Sequence, residues 1–217
     1  MSNLRIGLPS KGRLSDLASE LLKEAGIKFR RQNRSLFAKV SDLPIEIIFL
    51  RTDDIPVLCA EGAIDMGITG SDLVAEAQAD VQTRLSLGVG KCRLAVCVPE
   101  SMEIDSPAQL NGLRIATSFT NVTKNYLQQH DAEAHVVPLT GSVEIMITLG
   151  IADAIVDLVE TGSTLAANRL KISHEIGNYE TILIQNQQKR HPELADRIVR
   201  RLEGVVIARG YSLLEYN

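Results

Sequence analysis

Short apolar runs alternate with amphipathic helical segments along nearly the whole sequence, and this alternation restricts the chain to few folds. Apolar runs typical of strands occupy residues 4–8, 45–50, 66–68, 94–98, 113–117, 134–139, 154–159 and 181–184. Helical spacing follows most of them, over 14–22, from 52 onwards, and over 73–77, 121–129, 143–149 and beyond Pro192. The stretch 28–41 fits a hairpin. This order predicts an α/β architecture with a largely parallel sheet.

Two segments of the sequence resemble each other. Residues 62–73 and 150–165 each contain a helix end, an aspartate (Asp65 or Asp153), an apolar strand and a Thr-Gly-Ser turn that opens another helix. Chance matching of common residues is the alternative to a true repeat. A true repeat predicts two similar lobes, a discontinuous one over 1–88 and 180–217 and a second one over 89–179. We expect a ligand-binding cleft between the lobes, because ligands of open parallel sheets bind beyond the carboxyl ends of the strands.

The strongest local signal for chemistry is the segment 153–164, where an apolar strand delivers a carboxylate and then a hydroxyl-rich turn. Asp157 lies late in the strand, and Thr161-Gly162-Ser163-Thr164 follows. Backbone N–H groups at the start of the next helix, with the three hydroxyls, would form a cradle for a monophosphate. Asp157 would accept hydrogen bonds from sugar hydroxyls or help to hold a metal. An ordinary capped turn would explain the hydroxyls but not the carboxylate, because an unpaired charge is costly to bury.

The second signal is Ser10-Lys11-Gly12-Arg13, between the first strand and the first helix. Lys11 and Arg13 lie where the helix dipole favours an anion and disfavours a cation, which indicates a bound polyphosphate. Solvated surface side chains are the alternative. The first sixty residues carry ten Lys and Arg against seven Asp and Glu, although the whole chain has a net charge of −4. A local basic excess in an acidic protein suits a small polyanion.

Several classes of protein find no support in the sequence. No apolar stretch approaches the ~20 residues that span a bilayer, and the first ten residues lack the features of a secretion signal. A pI near 5.6 argues against a nucleic-acid-binding surface. The 3 cysteines and 4 histidines have no metal-ligand spacing, and a Walker A loop, a G-x-G-x-x-G motif and a nucleophile elbow are all missing. The pattern therefore favours chemistry by electrostatic positioning of phosphates. The cysteine content favours a protein of the reducing cytoplasm.

Five segments together resemble the ATP phosphoribosyltransferase family. They are Leu-Pro-Ser-Lys-Gly-Arg at 8–13, Gly-Ile-Thr-Gly-Ser-Asp at 67–72, Gly-Lys-Cys-Arg-Leu at 90–94, Arg-Ile-Ala-Thr-Ser at 114–118, and the stretch from Gly-Ser-Val-Glu at 141–144 to Thr-Gly-Ser-Thr at 161–164. The similarity extends over essentially the whole chain, and its last motif is specific to the family. The resemblance implies a fold like that of type II periplasmic binding proteins, with two α/β lobes and the active site in the cleft.

The resemblance also implies a reaction, the first step of histidine biosynthesis. Adenine N1 of ATP attacks C1 of phosphoribosyl pyrophosphate, which yields phosphoribosyl-ATP and pyrophosphate, with Mg²⁺ as the cofactor. It implies that Thr161, Gly162, Ser163 and Thr164 bind the 5-phosphate, and that Asp157, with Asp153, binds the ribose hydroxyls. Glu160 is expected to bind the same substrate. The cations expected to face the pyrophosphate and triphosphate are Lys11, Arg13, Arg34 and Arg51. No protein motif for Mg²⁺ is evident, so the substrate phosphates are expected to carry it, near Asp157.

The length of the chain carries a further expectation. Long-form family members continue into a regulatory domain that binds histidine, and 217 residues leave no room for it. The chain therefore resembles the short form, which implies a separate regulatory subunit similar to histidyl-tRNA synthetase and a homodimer within a hetero-oligomer. Two alternatives stay open. One is a non-catalytic cytosolic module that binds or senses a small molecule with the same two-lobe fold. The other is a phosphoribosyltransferase that uses another base.

Overall fold

The structure is a computed structural model that describes residues 3–32 and 35–212, and the side chains up to residue 210. Its described residues form two compact units. Unit 1 combines the residues up to Gly90 with those from Glu180 onwards, and unit 2 is Lys91–Tyr179. The first boundary lies two residues after the one predicted at residue 88, and the second coincides with the predicted one.

Strands and helices alternate as the apolar pattern indicates. The strands are β1 (Leu4–Pro9), β2 (Phe37–Lys39), β3 (Ile45–Leu50), β4 (Met66–Gly70), β5 (Val81–Ser86), β6 (Cys92–Pro99), β7 (Arg114–Thr117), β8 (His135–Pro138), β9 (Ala154–Val159), β10 (Leu170–Tyr179) and β11 (Thr181–Asn186). The helices are α1 (Arg13–Glu24), α2 (Asp54–Ala60), α3 (Ser71–Ala77), α4 (Thr120–Gln129), α5 (Ile145–Thr148), α6 (Ser163–Ala167) and α7 (Pro192–Ser212), and a 3₁₀ turn covers Pro107–Leu110. None of the helices in the described part of the chain is long and apolar enough to cross a membrane.

The two units repeat one sheet topology. The strand order is β2-β3-β1-β4-β11-β5 in unit 1 and β10-β6-β9-β7-β8 in unit 2. In unit 1, β1 pairs in parallel with β3 and β4, and in unit 2, β7 pairs in parallel with β8 and β9. The next strand outwards, β11 or β6, runs antiparallel to its neighbours. The α/β prediction is therefore confirmed, but the sheets are mixed rather than largely parallel. The reason is that β11 and β6 begin where the chain enters each unit, so no crossover helix sets their direction.

The aspartates of the sequence repeat have the same structural role in both units. Asp65 precedes β4, accepts a hydrogen bond from the backbone N–H of Arg5 at 2.8 Å, and donates its own N–H to the Arg5 carbonyl at 2.9 Å. Asp153 precedes β9 and makes the same two bonds with Arg114, both at 2.9 Å. Each aspartate thus joins the starts of two parallel strands. The resemblance between the two segments reflects a repeated structural unit.

Unit 1 has a close approach between its sheet and α2 at a pair of glycines. Gly7 of β1 lies beside Gly67 of β4 in the strand register. A Cβ atom added to Gly67 would lie 2.5 Å from Cγ2 of Ile55 and 3.5 Å from Cδ1 of Ile64. Both isoleucines are almost fully buried. The paired glycines therefore form a shallow depression that receives the first turn of α2 and the residues just after this helix.

The Gly67→Ala substitution is expected to destabilise the protein by about 1–3 kcal/mol, because Cγ2 is attached directly to Cβ of Ile55 and cannot move aside without a change of rotamer. Gly204→Ala is the matched control. Gly204 lies in α7, and a Cβ there would meet no atom within 4 Å, so we expect a gain of about 0.5–1 kcal/mol. Urea unfolding of both variants measures these changes, and equal stabilities would contradict this account of the packing.

The structure differs from the sequence-based elements at several places. The sequence patterns miss β5 and β10, two outer strands whose residues are mostly half-buried and show no clear alternation of apolar and polar residues. β10 also contains two irregularities of register, near Ile172 and near Glu175. Among the described residues of 28–41, the expected hairpin is reduced to an isolated bridge between Phe29 and Val40, and β2 pairs instead with β3, which lies beyond this stretch. Helix α2 begins at Asp54 rather than at residue 52.

Candidate functional site

The loop between β9 and α6 is shaped by a glycine. β9 ends at Val159 and α6 begins at Ser163. Between them, Gly162 has φ 79° and ψ 2°, in the left-handed region. A side chain at this position would be strained even though it would meet no atom within 4 Å. Glycine therefore permits the sharp turn that brings the Thr-Gly-Ser-Thr segment directly to the start of a helix.

Hydroxyl groups surround this turn. Thr161, Ser163 and Thr164 are exposed, and Oγ1 of Thr161 lies 3.1 Å from Oγ of Ser163. The backbone N–H of Ser163 approaches Oγ1 of Thr161 at 3.5 Å. As in any first helical turn, the N–H groups that open α6 have no carbonyl partners within the helix. Hydroxyls and backbone donors gathered at one helix start can bind the oxygens of a phosphate.

Asp157 is a half-buried carboxylate beside this loop. It lies in β9, and one of its oxygens accepts a hydrogen bond from the backbone N–H of Leu158 at 2.8 Å. Burial raises the pKa of the Asp157 carboxyl, and the nearby charge of Glu144 raises this pKa further, while the Leu158 N–H opposes the shift. A group held in such surroundings is a candidate for function, because ligand hydrogen bonds or a cation would compensate its charge.

Asp157 and the loop line one pocket of about 300 Å³. Its lining residues are Glu144 and the continuous segment 157–165. The lining therefore presents carboxylates, which accept hydrogen bonds from hydroxyl groups, together with hydroxyls and N–H groups, which suit an anion. A sugar phosphate combines both features. This pocket is the candidate site of unit 2.

The structure separates Asp153 from this pocket. Asp153 lies before the start of β9, at the opposite end of the strand from the Thr-Gly-Ser-Thr loop. Arg114 holds it, with Nη2 2.7 Å from one carboxylate oxygen and Nε 3.0 Å from the other. The exposed Glu160 does line the pocket. The ribose role predicted for Asp153 and the substrate-binding role predicted for Glu160 stay predictions, but of these two residues the geometry brings only Glu160 together with Asp157.

The ion pair of Asp153 predicts a specific pH dependence of stability. Hydrogen bonds from Arg114 lower the pKa of the Asp153 carboxyl to about 2, whereas an unfolded Asp has a pKa near ~3.9. The pair therefore stabilises the fold above pH ~4, and this contribution is lost as the pH falls towards about 2. We expect Asp153→Asn to lower the free energy of unfolding at neutral pH.

Urea unfolding of the native protein and of Asp153→Asn, repeated between neutral pH and the lowest pH at which the protein stays folded, measures this contribution. The difference in free energy of unfolding between the native protein and Asp153→Asn should become smaller as the pH falls. Asp131→Asn is the control, since Asp131 has a φ of 51° that Asn adopts equally well, and this variant should show no such trend. If the difference in free energy of unfolding between the native protein and Asp153→Asn did not change with pH, the stabilising role of the Asp153–Arg114 ion pair would be contradicted.

The predicted cations of unit 1 lie where its parallel strands end. Lys11 and Arg13 follow β1, and Arg51 follows β3. These two strand ends are adjacent, because Pro9 pairs with Leu50 and the N–H of Ser10 donates to the Leu50 carbonyl at 2.7 Å. All three cationic side chains belong to exposed residues. The structure thus gathers Lys11, Arg13 and Arg51 at one edge of the unit 1 sheet. Arg34 lies outside the described residues.

The sequence analysis assigned no role to Glu144. Glu144 is half-buried at the residue before α5, and it lines the pocket with Asp157. Its only sequence signal is its place in the Gly-Ser-Val-Glu segment that follows the strand predicted over 134–139. Among residues 3–32 and 35–212, no group of three or more His, Cys, Asp or Glu side chains is arranged to hold a metal ion.

Comparison with protein families gives a match to the model described as HisG: ATP phosphoribosyltransferase, over residues 51–204. An ATP phosphoribosyltransferase of Rhodopirellula baltica is 69% identical over 216 residues, which cover 100% of this chain and 72% of that protein. An ATP phosphoribosyltransferase of Candida albicans is 42% identical over 217 residues, which cover 99% of this chain and 73% of that protein.

Comparison with solved structures shows that the fold, too, is similar to that of an ATP phosphoribosyltransferase. A chain of the ATP phosphoribosyl transferase (HisG:HisZ) complex from Thermotoga maritima matches with a TM-score of 0.84 and 29% identity, over 94% of this chain and 99% of that chain. The substrate binding protein of an amino acid ABC transporter matches with a TM-score of 0.63 and 16% identity, over 98% of this chain and 97% of that chain. The second likeness shows the fold alone. The predicted similarity to periplasmic binding proteins is confirmed.

Proposed function

Since the chain belongs to the ATP phosphoribosyltransferase family, we propose that its unit 2 pocket binds phosphoribosyl pyrophosphate through the 5-phosphate and the ribose. The chain is a transferase of the glycosyltransferase type that catalyses the first step of histidine biosynthesis. The observation that carries the site assignment is the pocket lined by Glu144 and residues 157–165, which joins a half-buried carboxylate to a hydroxyl-rich helix start.

The loop residues would hold the 5-phosphate. Thr161, Ser163 and Thr164 offer three hydroxyls, and Gly162 allows the turn that presents the N–H groups of the first helical turn. Asp157 would accept hydrogen bonds from the ribose hydroxyls, because a carboxylate is an acceptor only. Fixing the phosphate and the hydroxyls orients the ribose ring, so that C1 faces the nucleophile in a restricted set of geometries.

The cations of unit 1 would stabilise the departing group. Adenine N1 supplies the electron pair for the new C1–N1 bond, and the electrons of the broken C1–O bond leave with pyrophosphate. Negative charge therefore grows on the pyrophosphate oxygens in the transition state. We propose that Lys11, Arg13 and Arg51 neutralise that charge. Arg34 keeps its predicted place in this set. The N1 lone pair needs no general base for the attack itself.

The carboxylates of the pocket fit Mg²⁺ that arrives with the substrate. Mg²⁺ is usually held in proteins by one or two carboxylates together with substrate phosphates, rather than by a cage of protein ligands. Asp157 and Glu144 line the same pocket and repel each other electrostatically, which a cation would relieve. When bound, Mg²⁺ would neutralise charge on the pyrophosphate. Asp157 and Glu144 are the residues that would hold it.

We also propose a hetero-oligomer with a regulatory subunit that resembles histidyl-tRNA synthetase, in which this chain forms a homodimer. The Thermotoga maritima chain with the same fold comes from a complex of HisG with HisZ, which supports this proposal. The cytoplasm is the compartment that we propose for the enzyme. The three free cysteines, two of them buried, support a reducing environment.

The test is to mix the purified chain with ATP, phosphoribosyl pyrophosphate and Mg²⁺, with and without the candidate regulatory subunit, and to detect phosphoribosyl-ATP by mass spectrometry. We expect phosphoribosyl-ATP, and we expect no GMP or IMP when guanine or hypoxanthine replaces ATP, which separates this reaction from that of a phosphoribosyltransferase for another base. Folded protein that forms no product in either mixture would restore the alternative of a non-catalytic binding module. Native mass spectrometry of the second mixture tests the hetero-oligomer directly.

A further inference from the structure

Arg31 is a half-buried arginine that contacts three separate parts of unit 1. Its Nη1 donates a hydrogen bond to the carbonyl of Ser10 at 2.7 Å, and its Nε donates to the carbonyl of Ser35 at 2.9 Å. Its guanidinium carbon lies 4.0 Å from the centre of the Phe49 ring. Phe49 is buried in β3, two residues before Arg51. One side chain thus joins the end of β1, the segment before β2 and the end of β3.

These contacts hold the loop that carries Lys11 and Arg13 where the loop begins. The N–H of Ser10 donates to the Leu50 carbonyl at 2.7 Å, and the carbonyl of Ser10 accepts from Arg31. Ser10 is therefore held on both sides, by β3 and by Arg31. Gly12 follows with a φ of 84°, in the left-handed region that favours glycine, and α1 begins at Arg13. The direction of the backbone at Lys11 therefore depends on the hydrogen bond between Arg31 and the Ser10 carbonyl.

Arginine is the residue type that this position requires. Its planar guanidinium donates hydrogen bonds in two directions at once and stacks on an aromatic ring. A lysine ammonium is a compact charge that has neither the planar shape nor this fixed arrangement of donors. A hydrogen bond from a charged donor is about twice as strong as a neutral one, and a cation over an aromatic face is attracted to the ring in addition. The three contacts of Arg31 together use the shape of the side chain as well as its charge.

We propose that Arg31 is a positioning residue for the reaction, which acts by holding the Ser10–Arg13 loop so that Lys11 and Arg13 meet the leaving pyrophosphate. This inference rests on the proposed function of those two cations. Arg31 itself touches neither substrate in this role. A displacement of about 1 Å in a positioned catalytic group can lower a rate by about a hundredfold, so a change at Arg31 should be seen in turnover even though the cations remain.

The first test compares Arg31→Met and Arg31→Lys with the control Arg30→Met, which removes an exposed positive charge from the adjacent residue. We expect kcat/KM to fall at least about tenfold in both Arg31 variants and to stay within about twofold in the control. Amide hydrogen exchange over residues 10–13 should become faster in Arg31→Met. This second measurement does not depend on activity, so it tests the bracing of the loop even if the wild-type protein makes no phosphoribosyl-ATP.

The second test combines Arg31→Met with Arg13→Ala. If Arg31 acts through the loop, the Arg31 substitution should lower kcat/KM by a smaller factor in the Arg13→Ala background than in the native protein, because interacting positions are not additive. Only the effect through Lys11 would remain. Full activity of Arg31→Lys would overturn the proposal, since charge alone would then suffice. Multiplicative effects in the double variant would overturn it too, and so would unchanged exchange over residues 10–13. Should Arg31→Met fail to fold, Arg31→Lys, which keeps the charge, carries the same comparisons.

Discussion

The Asp157→Asn variant is expected to lower kcat/KM well over tenfold, which corresponds to more than ~1.4 kcal/mol of transition-state stabilisation. Asparagine keeps the size of the side chain and one oxygen that can accept the N–H of Leu158, a bond of 2.8 Å in the native protein. It loses the charge that would bind ribose hydroxyls and attract Mg²⁺. Hydrogen bonds to a charged group contribute roughly 1.5–3 kcal/mol, about twice the contribution of neutral ones.

The same substitution should not destabilise the protein. Burial raises the pKa of Asp157, so the folded state disfavours the ionised carboxylate. The protonated form is favoured below the unfolded pKa of ~3.9, and that advantage is lost as the pH rises through the raised folded pKa. At neutral pH the ionised Asp157 carboxylate therefore destabilises the folded state. Asp157→Asn should unfold at the same urea concentration as the native protein or at a higher one.

Steady-state kinetics as a function of pH, with urea unfolding beside it, measures both effects. In the native protein kcat/KM should fall with acidification as Asp157 gains a proton, and that decrease should start above the pH range of an ordinary Asp carboxyl. The Asn variant should lack this decrease. Asp131→Asn, which removes a charge from the same unit outside the pocket, should leave kcat/KM unchanged. Full activity of Asp157→Asn would refute the ribose and metal role.

The Arg13→Ala variant is the second large expected loss, again more than tenfold in kcat/KM, or more than ~1.4 kcal/mol. Arg13 is the first residue of α1 and follows Gly12. A cation at a helix N-terminus opposes the helix dipole, by about 0.3–1 kcal/mol at an exposed position. Alanine removes this repulsion and is a good helix former. The variant should therefore lose activity, and relief of this repulsion contributes up to about 1 kcal/mol to its free energy of unfolding.

Lys23→Ala is the matched control for Arg13→Ala on the same helix. Lys23 lies in the last turn of α1, where a cation is favourable, so its removal should lower stability by about 0.3–1 kcal/mol and leave kcat/KM unchanged. The two variants should thus have opposite patterns of activity and stability. If Arg13→Ala kept full activity, or if both substitutions had the same effect, Arg13 would not be part of the leaving-group site.

The elements of the fold that could be predicted are those whose apolar residues face a core. β1, β3 and β9 are buried along most of their length, and their apolar runs are visible in the sequence. β5 and β10 could not be predicted in this way, because outer strands are covered on fewer sides and their residues need not alternate. The antiparallel direction of β11 and β6 is also not a local property, since it follows from where the chain enters each unit.

Asp157 and the Thr-Gly-Ser-Thr loop could be singled out from the sequence because each differs from its neighbours in a visible way. Asp157 is a carboxylate within an apolar strand, and the loop has three hydroxyl residues around a glycine. Glu144 and Arg31 have no such local signal. Glu144 lines the pocket of Asp157 from another segment of unit 2, and Arg31 reaches a carbonyl twenty-one residues away. Their importance depends on partners that are distant in the sequence.

Local chemistry in the sequence determined the α/β class, the repeat, the family and the hydroxyl-rich Thr-Gly-Ser-Thr loop, because each is encoded in neighbouring residues. Tertiary structure alone decided the partners of Asp153, Glu144 and Arg31. Asp153 and Asp157 are four residues apart in one segment, yet one lies before the start of β9 with Arg114 and the other lies in the pocket. A strand advances about 3.3 Å per residue, so four residues carry a side chain from one region of the sheet to another. The spacing of charges in the sequence cannot say which of them meets a ligand and which meets another part of the protein.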